Sequence, residues 1–168
     1  MTVTTKDDND PVEYISTGCN RSPHCMAWSH VTGHVYYGSN NSVSVYSVQQ
    51  YRVLTTLVGH TARVNCVRLV TCDDNTEYLV TCSTDHSVTV WKCDQTTWTR
   101  VSTNKLHTGP VTNVSAVIQD NLLLIASTSN DNTIKLHKFH LDGSDKVDNV
   151  GNINLGTGTT FNVICNKI

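Results

Sequence analysis

The chain has 168 residues, enough for one domain of ordinary size. With 38% hydrophobic and 15% charged residues it can bury a core, and its net charge of −2 argues against unselective nucleic-acid binding by a basic surface. No apolar run approaches the length needed to span a bilayer.

Residues 1–11, "MTVTTKDDNDP", lack an apolar centre and read as a disordered, solvated tail rather than a secretion signal. From residue 12 the chain turns rich in Val, Thr, Ser and Asn, which favours strands and tight turns over helices. The segment "EYISTGCNRSPHCMAWS", residues 13–29, matches nothing else in the chain. Beyond residue 30 the sequence repeats itself. "LVTCSTDHSVTVWK" at 79–92 aligns with "IASTSNDNTIKLHK" at 125–138, a shift of 46 residues. Upstream of each, "GHTARVNCV" answers to "LHTGPVTNV". A degenerate third copy, "HVYYGSNNSVSVYS", stands at 34–47 with Asn40 in the Asp place and Tyr46 in the Trp place.

Each copy reads as strands and turns. "SVTVW" and "TIKLH" alternate with period two. "STDHS", "SNDNT" and "NNS" are hairpin turns, and "CDDNTE" and "IQDN" are the hairpins before them. The unit is therefore four short antiparallel strands in about 45 residues. Such a unit cannot bury both faces alone, and radial stacking of units solves that, giving a propeller. The expected fold is all-β: about three four-stranded blades plus the first strand of a fourth. Blade one spans about 21–58, blade two 60–105, blade three 107–155, and the start of blade four 156–168.

Seven cysteines at 19, 25, 66, 72, 82, 93 and 165 contain no CxxC, and none of the Cys and His cluster at metal-ligand spacing. Small buried thiols are the simpler reading, with no metal and no cofactor. N-x-S triplets at Asn20, Asn40 and Asn113 read as chance matches. His60, Asp85 and Thr81 have the composition of a catalytic triad, as do His107, Asp131 and Ser127. A triad that recurs at the repeat period is better explained by structure than by catalysis. Cys66 lies on a predicted inner strand, which disfavours a Cys66–His60 nucleophile.

The pattern of Gly-His before the inner strand, hydroxyl on the second, Asp in the next turn and Trp on the third resembles the WD-repeat family. In that family the four side chains form a buried hydrogen-bond chain. The resemblance implies His60, Thr81, Asp85 and Trp91 in blade two, and His107, Ser127, Asp131 and His137 in blade three, where His137 replaces the Trp and should weaken the chain of bonds. "GCNR" at 18–21, Trp28, the "N-x-V-x-V" strand and "GHTARVNC" in that order resemble the second-subunit family of the Elongator complex, over most of residues 13–160.

That resemblance implies a non-catalytic scaffold, found in cytoplasm and nucleus. Its partners would be the largest and the catalytic Elongator subunits, supporting wobble-uridine modification of tRNA. Contact with tRNA itself would be indirect or weak, and none is expected with membrane. Arg63, in the turn after Gly-His, is the candidate partner-binding residue. An unrelated WD-repeat adaptor, such as a ubiquitin-ligase substrate receptor, is the alternative. The family's propeller closes with seven blades, so the chain is expected to be a partial form of a longer scaffold. Alone it should be poorly soluble or oligomeric, with residues 12–20 mobile.

Overall fold

The computed structural model describes residues 18–94, 97–142 and 147–155. Residues 1–17 and 156–168, which include the expected tail, most of the segment at 12–20 and the expected start of blade four, lie outside them. The described residues hold twelve strands and no helix. They form three four-stranded antiparallel meanders. The first contains β1 (Met26–Trp28), β2 (His34–Ser39), β3 (Ser42–Ser47) and β4 (Arg52–Val58). The second contains β5 (Val64–Thr71), β6 (Glu77–Ser83), β7 (Val88–Asp94) and β8 (Thr97–Asn104). The third contains β9 (Val111–Gln119), β10 (Leu122–Ser129), β11 (Thr133–His140) and β12 (Val147–Asn154). These are three blades of a partial propeller, with β5 packed on β1 and β2, and β9 on β5 and β6.

The turns carry the local logic. Gln119 pairs with Leu122, so Asp120 and Asn121 form a two-residue loop, and both have positive φ (49° and 60°). That is the hairpin turn whose twist matches its strands, and Asp and Asn tolerate it best. In the turns joining β6 to β7 and β10 to β11, His86 and Asn132 hold the matching left-handed place. A register shift also recurs where the third strand meets the outer one, at Val45/Tyr46, Val90/Trp91 and Leu136/His137. The bulge identifies Tyr46, Trp91 and His137 as equivalent positions in the three blades.

Blade two is buried on both faces, and all seven residues of β6 are buried. Successive side chains alternate between faces. Leu79 joins Val64, Val67 and Trp91 against Tyr36, Val43, Val45 and Leu57 of blade one. Tyr78, Val80 and Cys82 join Cys66, Val88 and Val90 against Val114, Leu123, Ile125 and Phe139 of blade three.

The junction of blades one and two holds a carboxylate. Glu77 is 2% exposed. It accepts from Ser29 Oγ at 2.6 Å and from Tyr36 Oη at 3.4 Å. Ser29 Oγ in turn accepts the amides of Val31 and Thr32 at 3.1 and 2.9 Å. Glu77→Ala is expected to cost roughly 1–3 kcal/mol, because two buried hydroxyls lose their acceptor. Hydrogen exchange should then speed up in β1 and β2 while the amides of β10 and β11 keep their protection.

Candidate functional site: the buried polar chains

Blade two brings its four predicted residues together. His60 enters from the turn before β5, Thr81 from β6, Asp85 from the β6–β7 turn and Trp91 from β7. His60 Nδ1 lies 3.1 Å from Asp85 Oδ2, and Nε2 lies 2.8 Å from Thr81 Oγ1. The carboxylate is an acceptor, so Nδ1 carries the proton and Nε2 accepts from the threonine hydroxyl. Thr81 Oγ1 receives the Trp91 indole N–H at 3.1 Å. Asp85 also accepts the amides of Thr61 at 2.8 Å and Ser87 at 3.0 Å, which closes the turn.

Blade three repeats the geometry. His107 Nδ1 is 2.9 Å from Asp131 Oδ2, and Nε2 is 2.9 Å from Ser127 Oγ. Asp131 accepts the amides of Thr108 at 2.9 Å and Thr133 at 3.0 Å. Here the structure corrects the expectation for His137. Its Nε2 stands 3.1 Å from Ser127 Oγ, the distance the indole keeps in blade two, and supplies the N–H that the tryptophan would. The difference lies on the other ring nitrogen, since His137 Nδ1 is buried without a partner.

Sequence reasoning missed several members. Ser83 and Ser129 each accept the amide of the Asp two residues on, at 3.1 Å, and donate back to the preceding loop. Ser87 and Thr133 donate to the carboxylates of Asp85 and Asp131 and also approach the histidines. The signal was present, because each pair occupies one column of the repeat alignment. The glycine of the Gly-His pair, Gly59, has a steric reason that the motif alone does not show. A Cβ there would lie 2.7 Å from Trp91 Cη2. At the matching place in blade three stands Leu106, and the ring has become the smaller imidazole of His137. The two changes are opposite in volume.

Blade one has no such histidine, and "GCNR" explains what replaces it. The Asn20 side chain accepts the Asn40 amide and donates to the Asn40 carbonyl, both at 2.8 Å. It also donates to the Val64 carbonyl at 3.0 Å, tying the blade-one turn to blade two.

The chemistry of these groups is confined to the interior. Thr81 and Ser127 have no solvent exposure, and each hydroxyl already serves two rings. Cys66 is likewise fully buried and belongs to the cluster facing blade three, whereas Trp91, joined to His60 through Thr81, faces blade one. Its thiol approaches the Val114 carbonyl at 3.6 Å. Arg63 is exposed and donates from Nε to Asn65 Oδ1 at 3.2 Å.

Burial lowers the pKa of His60 and His107, against the pull of their aspartates. Burial, with the nearby charges of His107 and Lys135, pushes His137 down to about 4. Burial works against the Asp85 charge, but bonds from Ser87, the Thr61 amide and His60 prevail and hold it down at about 2. Asp131 is lowered for the same reasons, with Thr133 and Thr108 as donors.

Three outcomes are expected. Asp85→Ala and Asp131→Ala should lower stability by similar amounts, roughly 1–3 kcal/mol each, because both polar chains are complete; calorimetric melting of the two variants checks this. His137→Trp alone should overpack blade three at a cost of about 1–3 kcal/mol. Adding Leu106→Gly should recover most of that loss, and an additive double-mutant cycle would refute the volume exchange. The third outcome concerns acid. The unfolded chain takes up protons on His137 from about pH 6.5 downward, but the folded chain resists until about pH 4. Stability is therefore present above that window and lost as the pH falls through it. His137→Gln, which keeps a donor but does not titrate, should flatten the fall in melting temperature between these values.

Comparison with known proteins agrees with the geometry. The model of the family described as "WD domain, G-beta repeat" matches residues 51–92 and 98–138. Elongator complex protein 2 of Danio rerio is 31% identical over 154 residues, covering 89% of this chain and 18% of the relative. The Drosophila melanogaster protein of the same name is 35% identical over 131 residues, covering 75% of this chain and 16% of the relative. That of Dictyostelium discoideum is 35% identical over 152 residues, covering 82% and 17%. The chain thus spans less than a fifth of the length of these curated relatives. It belongs to the WD-repeat family of β-propellers, and within that family it sides with the Elongator complex protein 2 sequences.

Proposed function

We propose that the chain contributes to a non-catalytic scaffold of the Elongator assembly. In this reading it helps hold the largest and the catalytic subunits together in support of wobble-uridine modification of tRNA. Its contact with tRNA is indirect, and it works in cytoplasm and nucleus. The observation that carries the reading is the agreement with Elongator complex protein 2 sequences along most of the chain. The geometry supports it from another side. Both sets of hydroxyl, imidazole and carboxylate are enclosed within blades and bonded to one another, so their role in this reading is to hold turns. Those turns present polar side chains to solvent, Arg63 among them, and turns fixed on a rigid sheet suit partner recognition.

The test is affinity purification of the tagged full-length protein that contains this segment, followed by mass spectrometry. The largest and the catalytic Elongator subunits are expected among the recovered proteins, and Arg63→Glu should reduce their recovery several-fold. Recovery of ubiquitin-ligase components in their place would favour the adaptor reading. Undiminished recovery with Arg63→Glu would remove that residue from the interface.

A further inference from the structure

The two edges of the blades carry different kinds of carboxylate. On the edge of the Gly-His turns, Asp85 and Asp131 are each bonded to an imidazole and to turn amides. The opposite edge holds the turns between β1 and β2, β5 and β6, and β9 and β10. There Asp73, Asp74, Glu77 and Asp94 have no basic side chain within ion-pair distance among the described residues.

Three of these carboxylates share one cavity. Asp74, Glu77 and Asp94 line a space of about 360 Å³ between blades one and two, together with Val31, Thr32 and Cys93. The amides of Val31 and Thr32 donate to Ser29 Oγ, and that hydroxyl donates to Glu77, so the carboxylate fixes the turn that supplies part of the wall. Glu77 is buried while Asp74 and Asp94 are exposed, so negative charge runs from the mouth inward. The Cys93 thiol stands in that field: burial pushes it up to about 11, and the charges of Glu77 and Asp94 act in the same direction. A buried carboxylate met only by hydroxyls is a charge without a counter-charge, which burial makes costly. Beyond the β5–β6 turn a second cavity of about 320 Å³ shares Asp74 and has Tyr78, Ile118 and Leu141 in its lining. Lys92 lines it as well, which directs a cation to the first cavity and an apolar side chain to the second.

We propose that the first cavity receives an arginine from an extended segment of a partner protein, and that an apolar residue of the same segment enters the second. The arginine stem covers Val31 and Cys93, as long cationic side chains cover apolar surface. The guanidinium has five donors in a fixed fork, enough for Glu77, Asp74 and Asp94 to share. Both cavities lie at junctions between described blades, so one segment crossing the β5–β6 turn reaches both. The inference goes beyond the Elongator reading and does not rest on it. It names the chemistry a partner presents, whichever assembly that partner belongs to.

The experiment is fluorescence anisotropy with the purified full-length protein that contains this segment. The probes are short dye-labelled peptides with one arginine and one leucine in a glycine–serine background, at varied separation. Binding is expected at a preferred separation. Citrulline in place of arginine, which keeps the shape and loses the charge, should weaken it roughly tenfold. Asp94→Asn and Asp74→Asn should each weaken it several-fold. Both residues are exposed, and asparagine keeps an acceptor for the Thr76 amide that Asp74 now holds. Val31→Lys, at a position already 40% exposed, places a cation at the cavity and should abolish binding. An unchanged circular dichroism spectrum verifies the fold of each variant. Asp120→Asn should leave binding unchanged, because Asp120 lies on the same edge and lines neither cavity. A protein that binds none of the peptides overturns the proposal without any variant. So does a citrulline peptide that binds equally well, a Val31→Lys protein that still binds, or a loss with Asp120→Asn as large as that with Asp94→Asn.

Discussion

A serine or threonine hydroxyl has one proton to give, and blades two and three are organised around that limit. Thr81 and Ser127 give theirs to an imidazole. The oxygen is then an acceptor that must be offered an N–H from the next strand. Tryptophan and histidine both qualify, which is why His137 can stand where Trp91 stands. At the other end the carboxylate fixes which nitrogen of the imidazole carries its proton. The donors therefore run one way, from ring to hydroxyl to imidazole to carboxylate, and the turn amides donate to that carboxylate from the other side. The links at the hydroxyl are buried, and a missing one would leave its neighbour unpaired in a medium where that is costly.

This directionality links elements far apart in sequence. One polar chain sets the entry to the inner strand, the face of the second strand, the shape of the following turn and the bulge on the third. The matched sequence repeat does not coincide with a sheet. It starts at the end of one blade, on or just before the outer strand, and ends in the third strand of the next. Each repeat thereby stitches two blades, and the apolar clusters between sheets complete what the stitch begins.

Much of this was legible in the residues. Period-two alternation, Asp and Asn at the turns and recurrence at one spacing were enough for strands, hairpins and blades. The repeated columns were enough to bring eight side chains into two sets. What remained hidden depends on contacts between blades. Glu77 closes "CDDNTE", which reads as a polar hairpin, and nothing in its sequence neighbourhood indicates the Ser29 and Tyr36 hydroxyls that hold it. The role of Asn20 was equally out of reach, since its partners lie in a turn and in the next blade. His137 was misjudged because comparison by residue type recorded the loss of an indole, whereas the site requires only an N–H at the right height. Leu106 completes that account, and it is seen only when the space beside Gly59 is measured.

The meander topology also governs how the chain acquires its structure. Within each sheet every hydrogen-bonded neighbour is the adjacent strand in sequence, so each sheet forms from local contacts of low contact order. A chain emerging from the ribosome can zip each sheet as soon as its outer strand is out. The bonds between blades arrive later, with separations of 44 residues for Asn20 to Val64 and 48 for Ser29 to Glu77. Synthesis therefore proceeds as a sequence of small completed steps, each ending with a sheet that waits only for the next one to cover it.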